Sequence, residues 1–326
     1  MTVVARLRDP YDALLLDLDG TLYRGNDVVP GAVDALSSSA QRRLYVTNNA
    51  SRSPADVAQH LSDLGFDAAE SDVVTSSQAA ARLLAEHLEP GDAVLIVGTD
   101  ALADEVRAVG LTPTRAADDL PKAVVQGHST ATDWSILAEA AYAIRAGALW
   151  VAANTDTTLP TERGFAPGNG AMVAALRVAT LSEPIVAGKP AAPLLEDALQ
   201  RCGSRNCLVV GDRLDTDIAG ANEVKLDSLL VLTGVSTADD LLGAAPSERP
   251  TYLALSLDAL NQPADAGPSG WHVELDGSDL VLSGSGDASA ALLATARVAW
   301  NHAGFRRVAP ADSAAEQAVV QWNTRA

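Results

Sequence analysis

Short apolar runs alternate with amphipathic stretches from the start of this chain. Ala13-Leu14-Leu15-Leu16 predicts a buried strand, Gly31 to Ala40 a helix, and Arg43 to Thr47 a second strand. Ser53-Pro54 predicts a helix start, with Ser as N-cap and Pro at the first helical position. That helix runs to Leu64, and Gly65 ends it. Later strands are predicted at Val94–Val97, Ala123–Gln126, Leu149–Ala152, Cys207–Val210 and Leu229–Leu232, with helical patterns between them. Short strands separated by helices imply βαβ units, a mainly parallel sheet and an α/β fold.

The pattern changes near the C-terminus. Asn261 to Gly270 is rich in Pro, Gly, Ala and Asp and reads as a linker. Trp271 to Leu275, the turn Asp276-Gly277-Ser278 and Leu280 to Leu282 then resemble a β-hairpin. Asp287 is placed to cap an Ala-rich helix ending near Ala303-Gly304, and a final helix or strand runs to Trp322. Gly284-Ser285-Gly286 lacks the full dinucleotide or Walker pattern and reads as a turn. Trp271, Trp300 and Trp322 lie here, in a small α+β module whose open roles are homodimer formation, intramolecular packing and ligand sensing.

Composition narrows the partners. The chain has 326 residues, enough for roughly two domains at ~100–200 residues each. Its formal charge of −19 argues against nucleic acid and anionic membrane, both of which repel it, but leaves room for a small anionic substrate. Aromatics are only 4%, so Ala, Val and Leu must build the core. No stretch approaches the ~18 apolar residues of a membrane span, and Met1 to Asp9 has no apolar run of a secretory signal. Cys202 and Cys207 cannot form a disulfide framework and read as reduced thiols at a helix end and a strand start, in a cytoplasmic protein.

Four segments carry chemistry. Asp17-Leu18-Asp19-Gly20-Thr21 follows the first strand directly, and parallel sheets bind ligands beyond the carboxyl ends of their strands. Strand alternation sends residues 17 and 19 the same way, so their carboxylates would repel and need a proton or a metal between them. Thr47-Asn48-Asn49 ends the second strand and offers a hydroxyl and a backbone turn to phosphate oxygens. Lys189, between Gly188 and Pro190, is a cation held in an extended turn. Gly211-Asp212-Arg213-Leu214-Asp215-Thr216-Asp217 repeats the first arrangement, a strand followed by Gly and carboxylates, with Asp215 as a loop carboxylate. Oxygen ligands from Asp17, Asp19 and Asp212 would suit Mg²⁺, which prefers a few carboxylates plus water and phosphate.

In this order the four segments resemble the haloacid dehalogenase-like superfamily of phosphatases, over residues ~10 to 260. The resemblance implies that Asp17 is the nucleophile and Asp19 the general acid/base. It implies that Thr47 and the backbone at Asn48 bind the phosphoryl oxygens while Lys189 neutralises charge. Asp17, the backbone carbonyl of Asp19 and Asp212 would hold Mg²⁺, with Asp217 in support. A dehalogenase needs neither an acid for its halide leaving group nor a metal, so Asp19 and Asp212 favour phosphate transfer.

Spacing refines this. Only 30 positions separate Asp17 from Thr47, but 142 separate Thr47 from Lys189, too many for a simple crossover. An inserted α/β cap at 83–186 would account for them, leaving a Rossmann-like parallel-sheet core at 1–82 and 187–260 and a linker plus C-terminal module at 261–326. That placement is similar to the C2-type cap of the phosphoglycolate/4-nitrophenyl phosphatase group. Val29-Pro30-Gly31-Ala32 and Pro167-Gly168-Asn169-Gly170-Ala171 are also similar to that group. The chain departs from it at Asn154-Thr155-Asp156, where Asn-Pro-Asp is usual, and at Gly127-His128-Ser129, where Gly-x-Asp is usual. His128 and Arg163 are the candidate specificity contacts.

The expected activity is a Mg²⁺-dependent phosphomonoesterase acting on a small phosphorylated metabolite, glycerol 3-phosphate first and phosphoglycolate second. A phosphomutase is a weaker alternative, because mutases of this superfamily usually carry the cap between the first and second segments. A phosphorylated receiver-like module would need neither a cap of about 100 residues nor Asp19 as an acid.

Overall fold

A computed structural model describes residues 5–37, 41–161, 163–263, 270–302 and 304–323. The chain divides into two compact units. The first comprises Met1–Tyr45, Asp63–Asp67 and Cys202–Ala326, the second Val46–Ser62 and Ala68–Arg201.

The first unit is built on parallel strands in the order Tyr252–Ala254, Asp227–Val231, Cys207–Gly211, Ala13–Leu16 and the 42–45 part of the Arg42–Thr47 strand. Ala13–Leu16 is flanked on both sides, Leu15 pairing with Val209 and Leu44, and all four of its residues are buried. A strand covered on both faces reads as an unbroken apolar run, as this one does. The Rossmann-like core expected from the βαβ pattern is therefore present.

Residues 271–323 form a separate small sheet with two helices. Trp271–Asp276 pairs antiparallel with Asp279–Gly284, which pairs parallel with Arg307–Pro310. The expected hairpin is there, with Gly277 at φ +62° in its turn. Asp287 caps the next helix by accepting from the amides of Ser289 and Ala290. That helix stops at Ala299, earlier than the sequence suggests. The final segment is both a strand and a helix, Arg307–Pro310 and Ser313–Asn323. Most of the expected linker, residues 264–269, lies outside the described residues, as do Ala303 and the end of the expected Gly31–Ala40 helix, described as Ala32–Ser37.

Among the described residues, this small sheet shares its buried core with the rest of the first unit. Leu280, Leu282, Leu292 and Trp322 share one buried cluster with Leu214, Ile218, Leu230, Leu241 and Leu242 of the strands and helices before it. Trp300 donates its indole N–H to the Leu241 carbonyl at 2.8 Å and lies under the Arg249 guanidinium, 5.0 Å from the ring centroid. Of the three open roles, intramolecular packing is thus the one seen. Ending the chain at Asn261 would expose these leucines, at about 1.5–3 kcal/mol for each fully buried side chain. The truncated protein is expected to aggregate or to melt more than 10 °C lower in a thermal scan; an unchanged Tm would refute the shared core.

The second unit holds a parallel sheet ordered Ile185–Val186, Leu149–Ala152, Ala123–Gln126, Ala93–Val97 and Thr112–Thr114. An antiparallel hairpin, Thr158–Thr161 with Gly164–Pro167, follows the Leu149–Ala152 strand. Pro54–Asp63 is the predicted early helix: Ser53 Oγ accepts from the Asp56 amide at 3.1 Å, and Gly65 follows at φ +94°. Among the described residues no helix is long and apolar enough to cross a membrane.

Candidate active site

In the first unit the Ala13–Leu16 strand delivers Asp17 to its carboxyl end, where the Asp17 amide still donates to the Val210 carbonyl at 2.9 Å. The neighbouring Cys207–Gly211 strand delivers Asp212 the same way, and the wide helical turn Leu214–Ile218 brings Asp217 back towards it. Carboxylate oxygens of Asp17, Asp212 and Asp217 all lie within 4.8 Å of one another. The Thr21 hydroxyl sits 3.1 Å from Asp17 Oδ2 and 3.4 Å from Asp212 Oδ1. The Val235 amide donates to Asp212 Oδ2 at 2.6 Å, and the Arg213 amide to Asp217 Oδ2 at 3.1 Å.

The Asp19 carboxylate is not part of this cluster. Asp19 lies just past the end of the Ala13–Leu16 strand, where the chain begins to turn. The strand ends at Leu16, and the Leu18 carbonyl accepts from the amides of Thr21 and Leu22, so the chain is already turning at Asp19. Gly20 makes that turn at φ +90°, a conformation that a side chain would strain. Asp215 is the expected loop carboxylate, paired with Arg213 at 2.7 Å.

Burial pushes the Asp212 carboxyl well above the usual carboxylate range, and the charges of Asp17 and Asp217 push it further. Three crowded carboxylates, two of them buried, need a compensating cation. Small residues also leave space for the acids. A Cβ on Gly20 would stand 2.5 Å from Asp212 Oδ2; one on Gly234 would overlap the Asp212 carboxylate, and one on Gly211 that of Asp217. An all-oxygen donor set held in this way fits a hard divalent ion such as Mg²⁺.

In the second unit Thr47 ends its strand with its side chain buried, and Thr47 Oγ1 accepts from the Asn49 amide at 3.1 Å. Asn48 binds the backbone of Lys189 at two points. Asn48 Oδ1 accepts from the Lys189 amide at 2.8 Å, and Asn48 Nδ2 donates to the Lys189 carbonyl at 2.9 Å. Lys189 is itself buried, and its Nζ donates to the Val46 carbonyl at 3.1 Å. The second and third sequence segments are thereby joined.

The two specificity candidates lie in loops of the same unit. His128 is half-buried in the loop after Ala123–Gln126. Arg163 is exposed in the turn of the 158–167 hairpin, where its amide donates to Thr161 Oγ1 at 3.2 Å. One group of site residues, and the long-range contacts of another, escape the sequence reading. Thr233, Gly234 and Val235 follow a buried strand and hold Asp212 and Gly20, the Thr233 hydroxyl donating to the Gly20 carbonyl at 2.8 Å. Asn154 and Asp156 reach Asn48 across 106 and 108 positions, a separation no local pattern reveals.

The fold and these carboxylates define a class. The haloacid dehalogenase-like hydrolase family matches residues 14–112, a related hydrolase family matches 186–260, and a GCN5-related N-acetyltransferase-like domain matches 269–323. The chain belongs to the haloacid dehalogenase-like hydrolase family. It is 52% identical over 332 aligned positions to the D-glycerol 3-phosphate phosphatase of Mycobacterium tuberculosis, covering 96% of this chain and 94% of that protein. The crystal structure of a glycerol phosphate phosphatase from the same organism, in complex with magnesium, superposes with a TM-score of 0.92 at 51% identity, over 98% of this chain and 99% of that one. A p-nitrophenyl phosphatase from Archaeoglobus fulgidus, 28% identical, gives a TM-score of 0.71 over 77% of this chain and 98% of its own.

Proposed function

We propose that this protein is a Mg²⁺-dependent phosphomonoesterase whose substrate is D-glycerol 3-phosphate. The observation that carries the chemistry is the triple carboxylate cluster at the tips of two adjacent parallel strands. The substrate rests on the M. tuberculosis phosphatase, whose similarity extends through the C-terminal module.

Asp17, the Asp19 carbonyl and Asp212 would hold Mg²⁺, with Asp217 behind them. When bound, the ion supplies positive charge that offsets the repulsion between a carboxylate nucleophile and a phosphate dianion. Asp17 attacks phosphorus, the ester P–O bond breaks, and an aspartyl-phosphate forms. Asp19 gives its proton to the departing glycerol oxygen. It then takes a proton from the water that attacks the phosphoryl group, and phosphate leaves as Asp17 is regenerated. Lys189, Thr47 and the Asn48 backbone hold the phosphoryl oxygens as their charge grows. Residues 83–186 act as the inserted cap, with His128 and Arg163 reading the alcohol. The reaction is cytoplasmic, a reading that the free thiols Cys202 and Cys207 support.

The test is a panel of phosphomonoesters assayed for released phosphate. D-glycerol 3-phosphate is expected to give the highest kcat/KM, with activity lost to excess chelator and restored by Mg²⁺. A sugar phosphate turned over better, or transferred phosphate in place of free phosphate, would overturn the reading.

A further inference from the structure

We propose that Asn154, held by Asn169, is a positioning residue that sets Lys189 through Asn48. The inference rests on the catalytic role given to Lys189 above and deepens it.

The Asn48 side-chain amide is used on both sides by the Lys189 backbone, so wherever Asn48 sits, Lys189 follows. The main chain of Asn48 is fixed in turn. Its carbonyl accepts from Asn154 Nδ2 at 2.6 Å and from the Ser76 hydroxyl at 2.6 Å, which occupies both lone pairs. Asn154 Oδ1 accepts from the Asp156 amide at 3.3 Å, and the Asp156 carboxylate comes within 3.3 Å of Asn48 Nδ2. Behind Asn154, its own carbonyl accepts from Asn169 Nδ2 at 2.7 Å. Asn154 is 4% exposed and Asn169 is 1% exposed, so water does not replace these bonds.

An asparagine after a strand often serves only to start a loop by bonding the amide two residues on. The bond from the Asp156 amide fits that role. The bond to the Asn48 carbonyl does not, since it spans 106 positions and leads to the lysine. The surroundings are built to keep the loop in place. A Cβ on Gly170 would overlap the Thr155 carbonyl, and one on Gly188 would stand 2.5 Å from the Ala153 oxygen and 2.7 Å from Asn48 Oδ1. Lysine has a long flexible stem, and a misplacement of about 1 Å at a reacting centre can cost ~10²-fold in rate. Fixing both ends of Lys189, its backbone by Asn48 and its Nζ by Val46, avoids that loss.

A double-mutant cycle of Asn154→Ala and Lys189→Ala tests the coupling. In the wild-type background Asn154→Ala is expected to lower kcat about 10–100-fold while KM changes less than about 5-fold. In the Lys189→Ala background the same change is expected to cost under about 3-fold. Binding of orthovanadate, a mimic of five-coordinate phosphorus, should show the same masking where turnover is too slow to follow. Equal losses in both backgrounds would overturn the proposal and leave Lys189 catalytic. Wild-type activity in Lys189→Ala alone would instead overturn the role of the lysine, and the proposal with it. If Asn154→Ala does not fold, Asn154→Ser replaces it, because a shorter hydroxyl can serve the Asp156 amide without reaching Asn48.

Discussion

Asp17→Asn is expected to lower kcat on D-glycerol 3-phosphate by about 10⁴-fold or more, the order seen when a nucleophile is removed from an enzyme that works by covalent catalysis. The substitution is close to isosteric. Asparagine can still accept the Thr21 hydroxyl bond, 3.1 Å in the native protein, and the backbone bond to Val210 is untouched. What it cannot do is attack phosphorus and carry the phosphoryl group as an acyl phosphate. The fold should therefore survive while the reaction stops. Phosphate release and a thermal scan, run on the same preparation, check the two halves of the statement. Residual turnover above about 1% of wild type with an unchanged Tm would remove Asp17 from the role of nucleophile.

Asp212→Asn is expected to separate stability from activity. Asp212 is fully buried, and its neighbours within 4.8 Å are two more carboxylates. Without a cation this arrangement is costly, which is why burial first, and then Asp17 and Asp217, raise its pKa. A carboxyl whose pKa is higher in the folded state than in the unfolded chain binds its proton more tightly when folded. Metal-free wild type therefore keeps its full stability below the ordinary carboxylate range and loses it as pH rises through the raised value. The neutral amide has no such dependence. In chelator at neutral pH, Asp212→Asn should melt higher than wild type by several degrees, while kcat falls about 10²–10³-fold in saturating Mg²⁺. Added Mg²⁺ should raise the Tm of wild type and leave the variant nearly unmoved. A variant less stable than wild type in chelator would contradict the crowding argument.

Much of the core was legible because its signals are local. A four-residue apolar run followed at once by Asp-x-Asp-Gly-Thr states its own position at a strand tip, and the structure has the strand at Ala13–Leu16. Ser53-Pro54 and Asp287 announced their helices through capping chemistry, which depends on neighbours two or three residues away. What escaped was non-local or weakly patterned. Thr112–Thr114 contains a proline and sits at a sheet edge, where a missing N–H is tolerated. The 158–167 hairpin exposes Phe165 and has no alternation to read. The turn that begins at Asp19 has no periodicity to read, because the strand ends at Leu16 and the Leu18 carbonyl already accepts from Thr21 and Leu22. Asn154 carried a recognisable departure from the family pattern, but its partner Asn48 lies 106 positions away, and only the folded chain reveals the bond.

The shared apolar cluster of the first unit has a consequence for how the protein opens. Leu214 and Ile218 bracket the turn that carries Asp217, and they pack in the same cluster as Leu280, Leu292 and Trp322 of the C-terminal sheet and helices. Local openings of a protein occur in cooperative blocks defined by shared burial. The turn and the C-terminal segment are then expected to open as one block, with their amides exchanging with solvent together in a hydrogen-exchange measurement.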